Sequence, residues 1–93
     1  MELRHLRYFV TAAEELNFSR AAARLHVSQP PLSRQIRDLE KEIGAPLFDR
    51  TAKGVQLTPA GKSFLEQARQ ILAHSERAAR LAKAVSQGKT GQL

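Results

Sequence analysis

The chain has 93 residues, of which 42% are hydrophobic, so it has enough apolar surface for one small domain and an appended element. Fifteen Lys and Arg against nine Asp and Glu give a net charge of +6, which favours a polyanionic partner such as nucleic acid or an acidic membrane surface. The absence of cysteine excludes disulfides and Cys-based zinc fingers. There is no run of about 18 apolar residues and no signal-peptide-like start, so we expect a cytoplasmic protein without membrane association.

The first two helices are predicted to lie close together. Apolar residues recur at helical spacing from about Glu2 to Leu16: Leu3, Leu6, Phe9, Val10 and Ala13. Phe18 then precedes Ser19, which we expect to cap a second, alanine-rich helix ending at His26. Small side chains permit the close approach of helices that a helix-turn-helix requires.

A third helix is predicted to begin at Ser28 or Gln29 and to end at Gly44. Pro30 and Pro31 are tolerated in its first turn, where amides have no partner within the helix. If Ser28 is the N-cap, these prolines leave its hydroxyl without the amides that it would normally accept from. The hydroxyl is then free for another partner, such as a phosphate at the positive helix N-terminus.

The third helix has two distinct faces. On a helical wheel, one ridge spans about 60° and consists of Leu32, Ile36, Leu39 and Ile43. The far side carries Pro30, Ser33, Arg34, Arg37 and Lys41. We therefore expect one face to pack and the other to read the DNA major groove.

Residues 47–58 predict a hairpin, because two apolar-containing strands flank the turn sequence Ala52-Lys53-Gly54. A hairpin after a helix-turn-helix is a wing, and Arg50 and Lys53 would lie beside a phosphate strand or a minor groove. The predicted fold class is mainly α: a winged helix-turn-helix over residues 1–58, followed by a long helix.

The long helix is predicted over residues 59–87, with Thr58 as its N-cap and Pro59 as its first residue. At about 43 Å it exceeds what a domain of this size needs to cover its core. A heptad-like seam predicts a homodimer, which would present two recognition helices to two DNA half-sites. The seam residues are Phe64, Leu65, Ala68, Ile71, Leu72, Ser75, Ala78, Ala82 and Val85. A membrane-surface helix is the weaker alternative, because alanine dominates the seam beyond Leu72.

The segment AAARLHVSQPPLSRQIRDLEKEIGAPLFDR resembles the N-terminal DNA-binding region of bacterial LysR-type transcriptional regulators. The resemblance implies a winged helix-turn-helix, dimerisation through a linker helix, and a higher homo-oligomer in the full-length protein. It also implies a hinge, here 88–93, leading to an effector domain absent from this chain, through which a small-molecule inducer would act. The PPLSR form is similar to the subgroup that regulates aromatic-compound catabolism.

The family pattern implies which residues contact DNA. Base contacts would come from Gln29, Pro30, Ser33 and Arg34. Backbone contacts would come from Ser19, Ser28, Pro31, Arg37, Arg50 and Lys53, and from Gln35, although the helical wheel sets Gln35 near the buried edge. Side-chain chemistry supports two of the base contacts, because Arg34 can donate two hydrogen bonds to guanine and Gln29 can pair with the adenine edge.

Other function classes receive little support. The three histidines are far apart and lack carboxylates at ligand spacing, so we expect no metal or other cofactor. No nucleophile elbow or phosphate loop is present, which argues against an enzyme. The sequence therefore predicts a dimeric regulator that binds a double-stranded DNA operator. The alternative is a winged-helix protein-interaction module that dimerises without touching DNA.

Overall fold

The computed structural model describes residues 1–88, so most of the hinge predicted over 88–93 lies outside the described residues. The element order is α1 (Leu3–Glu15), α2 (Phe18–Leu25), α3 (Gln29–Ile43), β1 (Phe48–Thr51), β2 (Gly54–Leu57) and α4 (Pro59–Ser86). This order confirms the predicted mainly α fold with a two-stranded wing and a long last helix.

The start of α2 differs from the prediction. Asn17 is the N-cap, because its side-chain Oδ1 accepts a hydrogen bond of 2.9 Å from the amide of Arg20. Ser19 already lies inside the first turn and is exposed. The prediction that Ser19 caps the helix is therefore wrong: Asn and Ser are comparable caps, and the extended backbone occurs at Asn17.

A three-residue turn fixes α3 against α2. His26 ends α2 in the left-handed conformation, with φ of 58°, and the amide of Val27 donates to the carbonyl of Ala22 at 3.0 Å. Val27 packs against the core, and Ser28 is the N-cap residue of α3. The turn thus sets the direction in which α3 leaves the domain.

The core lies between α1, α2, α3 and the base of the wing. Its largest fully buried side chains are Phe9, Leu32, Ile36 and Leu47. Phe9 also contacts the rings of Phe48 and Phe64, with centroids 5.4 and 5.0 Å apart. These aromatic contacts attach both the wing and α4 to α1, and so hold the elements in one unit.

The wing is an antiparallel hairpin in which Phe48 pairs with Leu57 and Thr51 with Gly54. It is anchored to α3 by Glu40, whose Oε2 accepts hydrogen bonds from the amides of Leu47 at 2.7 Å and Phe48 at 3.1 Å. This carboxylate fixes the wing relative to the helix that precedes it.

Candidate nucleic-acid interface

The N-terminal end of α3 carries a serine hydroxyl that forms no capping hydrogen bond. Ser28 is the N-cap and is exposed, but its side chain forms no capping hydrogen bond. Pro30 and Pro31 lie in the first turn and have no N–H to donate to it. The structure confirms this part of the sequence analysis, and it leaves the Ser28 hydroxyl available to an external partner.

Two arginines on α3 are exposed and uncompensated. Arg34 and Arg37 lie on the outer face beside the exposed Pro30, and neither forms an ion pair within the part of the chain that the structure describes. Two free guanidinium groups on one helix face suit guanine edges and phosphates, which both accept paired hydrogen bonds.

Ser33 does not share this outer face. Ser33 is only 8% exposed, and its Oγ accepts a hydrogen bond of 2.6 Å from Nε2 of Gln29. The prediction that Ser33 projects outward with Pro30, Arg34 and Arg37 is therefore wrong. Ser33 lies about 60° around the helix from the buried Ile36, and a short side chain there stays below its longer neighbours.

Gln35 is half-buried, in agreement with the helical wheel, which sets it near the buried edge. Its Oε1 is buried and has no hydrogen-bond partner among residues 1–88. A buried acceptor of this kind faces the fold, so Oε1 of Gln35 is not available to DNA.

The tip of the wing is exposed. Ala52 and Lys53 form a two-residue turn between the strands, and Gly54 adopts φ of 118°, a conformation that favours glycine. Thr51 Oγ1 accepts a hydrogen bond of 3.2 Å from the amide of Lys53. The hairpin and its basic tip are thus as predicted.

Arg50 is held against the fold instead of extending freely from the wing. Its Cζ lies 4.9 Å from the centroid of the Phe18 ring, and its Nη2 lies 3.7 Å from Oε1 of Glu40. The strand alternation explains this placement, since Arg50 is two residues from the buried Phe48 and shares its face. The prediction set Arg50 beside a phosphate strand or a minor groove, and the structure adds that Arg50 ties the wing to α2 and α3.

A shallow groove of about 470 Å³ runs between the C-terminal end of α3 and the wing. Arg37, Lys41 and Arg50 contribute three positive charges to its lining, and Glu40 contributes one negative charge. The sequence analysis did not single out Glu40. Its signal was weak, because one acid on a charged helix face has no distinctive spacing.

The predicted dimer seam divides into two parts. Phe64, Leu65 and Leu72 pack against the core of their own chain, and Ala68 is completely buried there. The prediction that Ala68 contacts a second subunit is wrong, because its small side chain lets α4 approach the domain and leaves no surface exposed. Farther along, Ser75 is half-buried and the others are exposed: Ile71, Ala78, Ala82 and Val85.

Two further observations concern residues 1–88. None of the described helices combines the length and the apolar character needed to cross a membrane. Nor do these residues bring three His, Cys, Asp or Glu side chains together as metal ligands would require.

The three-helix unit, the wing and the exposed basic face of α3 define a winged helix-turn-helix DNA-binding domain. Residues 3–62 match the family model described as bacterial regulatory helix-turn-helix protein, lysR family. The chain therefore belongs to the lysR family of bacterial transcriptional regulators, which are not enzymes.

Individual relatives agree with this assignment. The chain is 56% identical over all 93 residues to the HTH-type transcriptional regulator TfdT of Cupriavidus pinatubonensis (strain JMP 134 / LMG 1197), and spans 41% of that protein. It matches the crystal structure of the BenM_DBD/catB site 1 DNA complex with a TM-score of 0.95 and 42% identity, covering 100% of both chains. It matches the CbnR_DBD-DNA complex with a TM-score of 0.88 and 46% identity, covering 92% of this chain and 99% of that one.

Proposed function

We propose that this chain is the operator-binding part of a dimeric regulator that recognises a specific double-stranded DNA sequence. The observation that carries the proposal is the exposed face at the start of α3, where the Ser28 hydroxyl is free and Arg34 is unpaired among the described residues. In this arrangement α3 enters the major groove and the wing lies on the flanking backbone. The similarity to domains solved in complex with DNA supports it.

The base contacts come from the first turns of α3. Arg34 donates two hydrogen bonds to O6 and N7 of a guanine, and Gln29 pairs with N6 and N7 of an adenine. Pro30, exposed beside them, offers an apolar ring to a thymine methyl group. Each bidentate contact contributes about 1–3 kcal/mol of discrimination between bases.

The backbone contacts surround this reading surface. Ser28 and the half-buried Pro31 lie at the N-terminal end of α3, and Ser19 lies on the first turn of α2. Lys53 reaches the backbone from the tip of the wing. Phosphates also lie along the groove beyond the reading surface, where the net positive charge comes from Arg37, Lys41 and Arg50.

Dimerisation uses the exposed positions of α4 from Ile71 onward. Ile71 and Val85 are apolar side chains that are 43% and 57% exposed. A second copy of the helix would cover them. The chain spans 41% of TfdT, and we propose the inducer, the higher oligomer and the regulated response for a full-length regulator, not for residues 1–93 themselves. We place the protein in the cytoplasm, where bacterial operators lie. The similarity to TfdT, BenM and CbnR supports the aromatic-catabolism subgroup.

The dependence of DNA affinity on salt tests this function. If about six phosphates are neutralised, the logarithm of the association constant falls against the logarithm of salt concentration with a slope of about −5. A selection from random duplexes supplies the preferred sequence and the half-site spacing. A flat response to salt would favour the alternative of a protein-interaction module, and a selection that returns no preferred sequence would contradict sequence-specific recognition.

A further inference from the structure

We propose that Ser33 is a positioning residue, which orients the amide of Gln29 for base reading and does not itself contact DNA. The inference rests on the proposed function, because it assumes that Gln29 reads a base. It replaces the direct base contact that the sequence pattern assigns to Ser33.

The placement of the two side chains supports this role. Gln29 is the first residue of α3 and Ser33 lies one turn later, so their side chains are neighbours on the same face. Ser33 is 8% exposed, whereas Gln29 above it is half-buried. The hydrogen bond between Nε2 of Gln29 and Oγ of Ser33, at 2.6 Å, is therefore part-buried and shielded from competing water.

The chemistry of the amide explains what this hydrogen bond selects. A glutamine side chain has one acceptor oxygen and two N–H donors on Nε2. Ser33 uses one N–H, which leaves Oε1 and the second N–H. These two groups are complementary to the N6 amino group and the N7 acceptor of adenine. Because Ser33 holds the end of the side chain, the amide is oriented before DNA arrives.

Pre-orientation of the Gln29 side chain should change DNA affinity by a measurable factor. Ordering one flexible side chain at an interface costs about 0.5–1.5 kcal/mol. This cost corresponds to about a two- to tenfold difference in affinity. Removing the Ser33 hydroxyl should therefore reduce the preference for one base by that factor, and it should leave the Arg34 contact intact.

A double-mutant cycle with Ser33→Ala, Gln29→Ala and the double variant tests the proposal. Affinities are measured for the duplex selected by the wild-type domain, for random duplex, and for duplexes changed at one base pair each. We expect Gln29→Ala to abolish preference at one base pair, and Ser33→Ala to reduce preference two- to tenfold at that same base pair only. In the Gln29→Ala background, Ser33→Ala should have no further effect.

The unbound protein provides a second measurement. The two side-chain amide protons of Gln29 should differ strongly in NMR chemical shift in the wild type, because only one of them is bonded to Ser33. In Ser33→Ala this difference should fall toward that of an exposed glutamine such as Gln56.

Several outcomes would overturn the inference. A Ser33→Ala effect that persists without Gln29 would mean that Ser33 contacts DNA itself. Equal weakening of selected and random duplexes, with a lower free energy of unfolding, would mean that the hydrogen bond only stabilises the helix. A wild-type domain with no base preference would instead overturn the proposed function, so the two failures are distinguishable.

Discussion

The first turn of α4 lies directly against the backbone carbonyl of Leu47, at the position of Gly61. A Cβ on Gly61 would overlap the carbonyl oxygen of Leu47 and come within 3.0 Å of the Leu57 side chain. The same carbonyl accepts a hydrogen bond of 3.0 Å from the amide of Thr58, which caps α4. This close approach fixes where the long helix leaves the domain.

Gly61→Ala should therefore destabilise the domain, although alanine is the better helix former by about 1 kcal/mol. The overlap involves a backbone atom that cannot rotate away, so we expect a net loss of about 1–3 kcal/mol in the free energy of unfolding. Urea unfolding measures the loss. Ser63→Ala, two residues later on the exposed side of the helix, should be neutral or slightly stabilising. A stabilising effect of Gly61→Ala would contradict the close contact.

Glu40→Ala should destabilise the domain, because the Glu40 side chain is only 14% exposed and links α3 to the wing. Its carboxylate accepts from the amides of the buried Leu47 and Phe48, and both would lose their partner. Unpaired buried amides cost about 1–3 kcal/mol each, so we expect a loss of about 2–6 kcal/mol in urea unfolding. Glu40→Gln keeps an acceptor oxygen and should lose less. The control Glu42→Gln affects only an exposed pair with the N-terminus and should change stability by about 0.5 kcal/mol or less.

The stability of the domain should depend on pH through Glu14. A hydrogen bond from Arg24 at 3.0 Å lowers the pKa of Glu14 below 4.5, although partial burial opposes it, and a second hydrogen bond from Arg69 lowers it further. A lowered folded-state pKa stabilises the fold above the unfolded pKa, and the contribution is lost as pH falls through the folded value.

Thermal unfolding of the wild type and Glu14→Gln at several pH values measures this dependence. We expect the wild type to have the higher midpoint at pH 7, and the difference to shrink below about pH 4.5. A difference that is constant down to pH 3 would contradict the assignment to Glu14.

Much of the fold follows from local sequence signals, because these signals act on the backbone directly. The prolines at the start of α3 and Gly44 at its end determine the bounds of this helix without tertiary information. The wing likewise follows from a short turn sequence between two strands. The cap of α2 differed, since two capping residues lie close together in the sequence.

The errors in the site have a different origin. A helical wheel gives the direction of Ser33 but not its depth below Gln29. Strand alternation places Arg50 on the inner face, but its contacts with Phe18 and Glu40 depend on elements distant in sequence. An apolar stripe shows that Ala68 is covered, without showing whether its own domain or a second subunit covers it. Each of these outcomes depends on tertiary packing.

Arg34→Ala and Lys53→Ala should weaken DNA binding in different ways. Arg34→Ala removes a predicted guanine contact, so we expect cognate affinity to fall by about 1–3 kcal/mol with relaxed preference at one base pair. Lys53→Ala removes a predicted phosphate contact and should weaken all duplexes alike, with a salt slope smaller by about 1. Titrations of cognate and random duplexes at several salt concentrations distinguish the two. Equal loss on both duplexes for Arg34→Ala would exclude base reading by this residue.

Ile71→Glu should convert the proposed dimer to a monomer. Ile71 is 43% exposed at the point where α4 leaves its own core, and in a two-helix seam the substitution would bury like charges from both copies. Ala73→Glu is the matched control, because it makes the same charge change on an exposed position about 160° around the helix. Sedimentation velocity over a concentration series should show a monomer for Ile71→Glu where Ala73→Glu remains dimeric. Because the two variants carry equal net charge, a difference between them identifies the face that dimerises, and identical sedimentation would place the interface elsewhere.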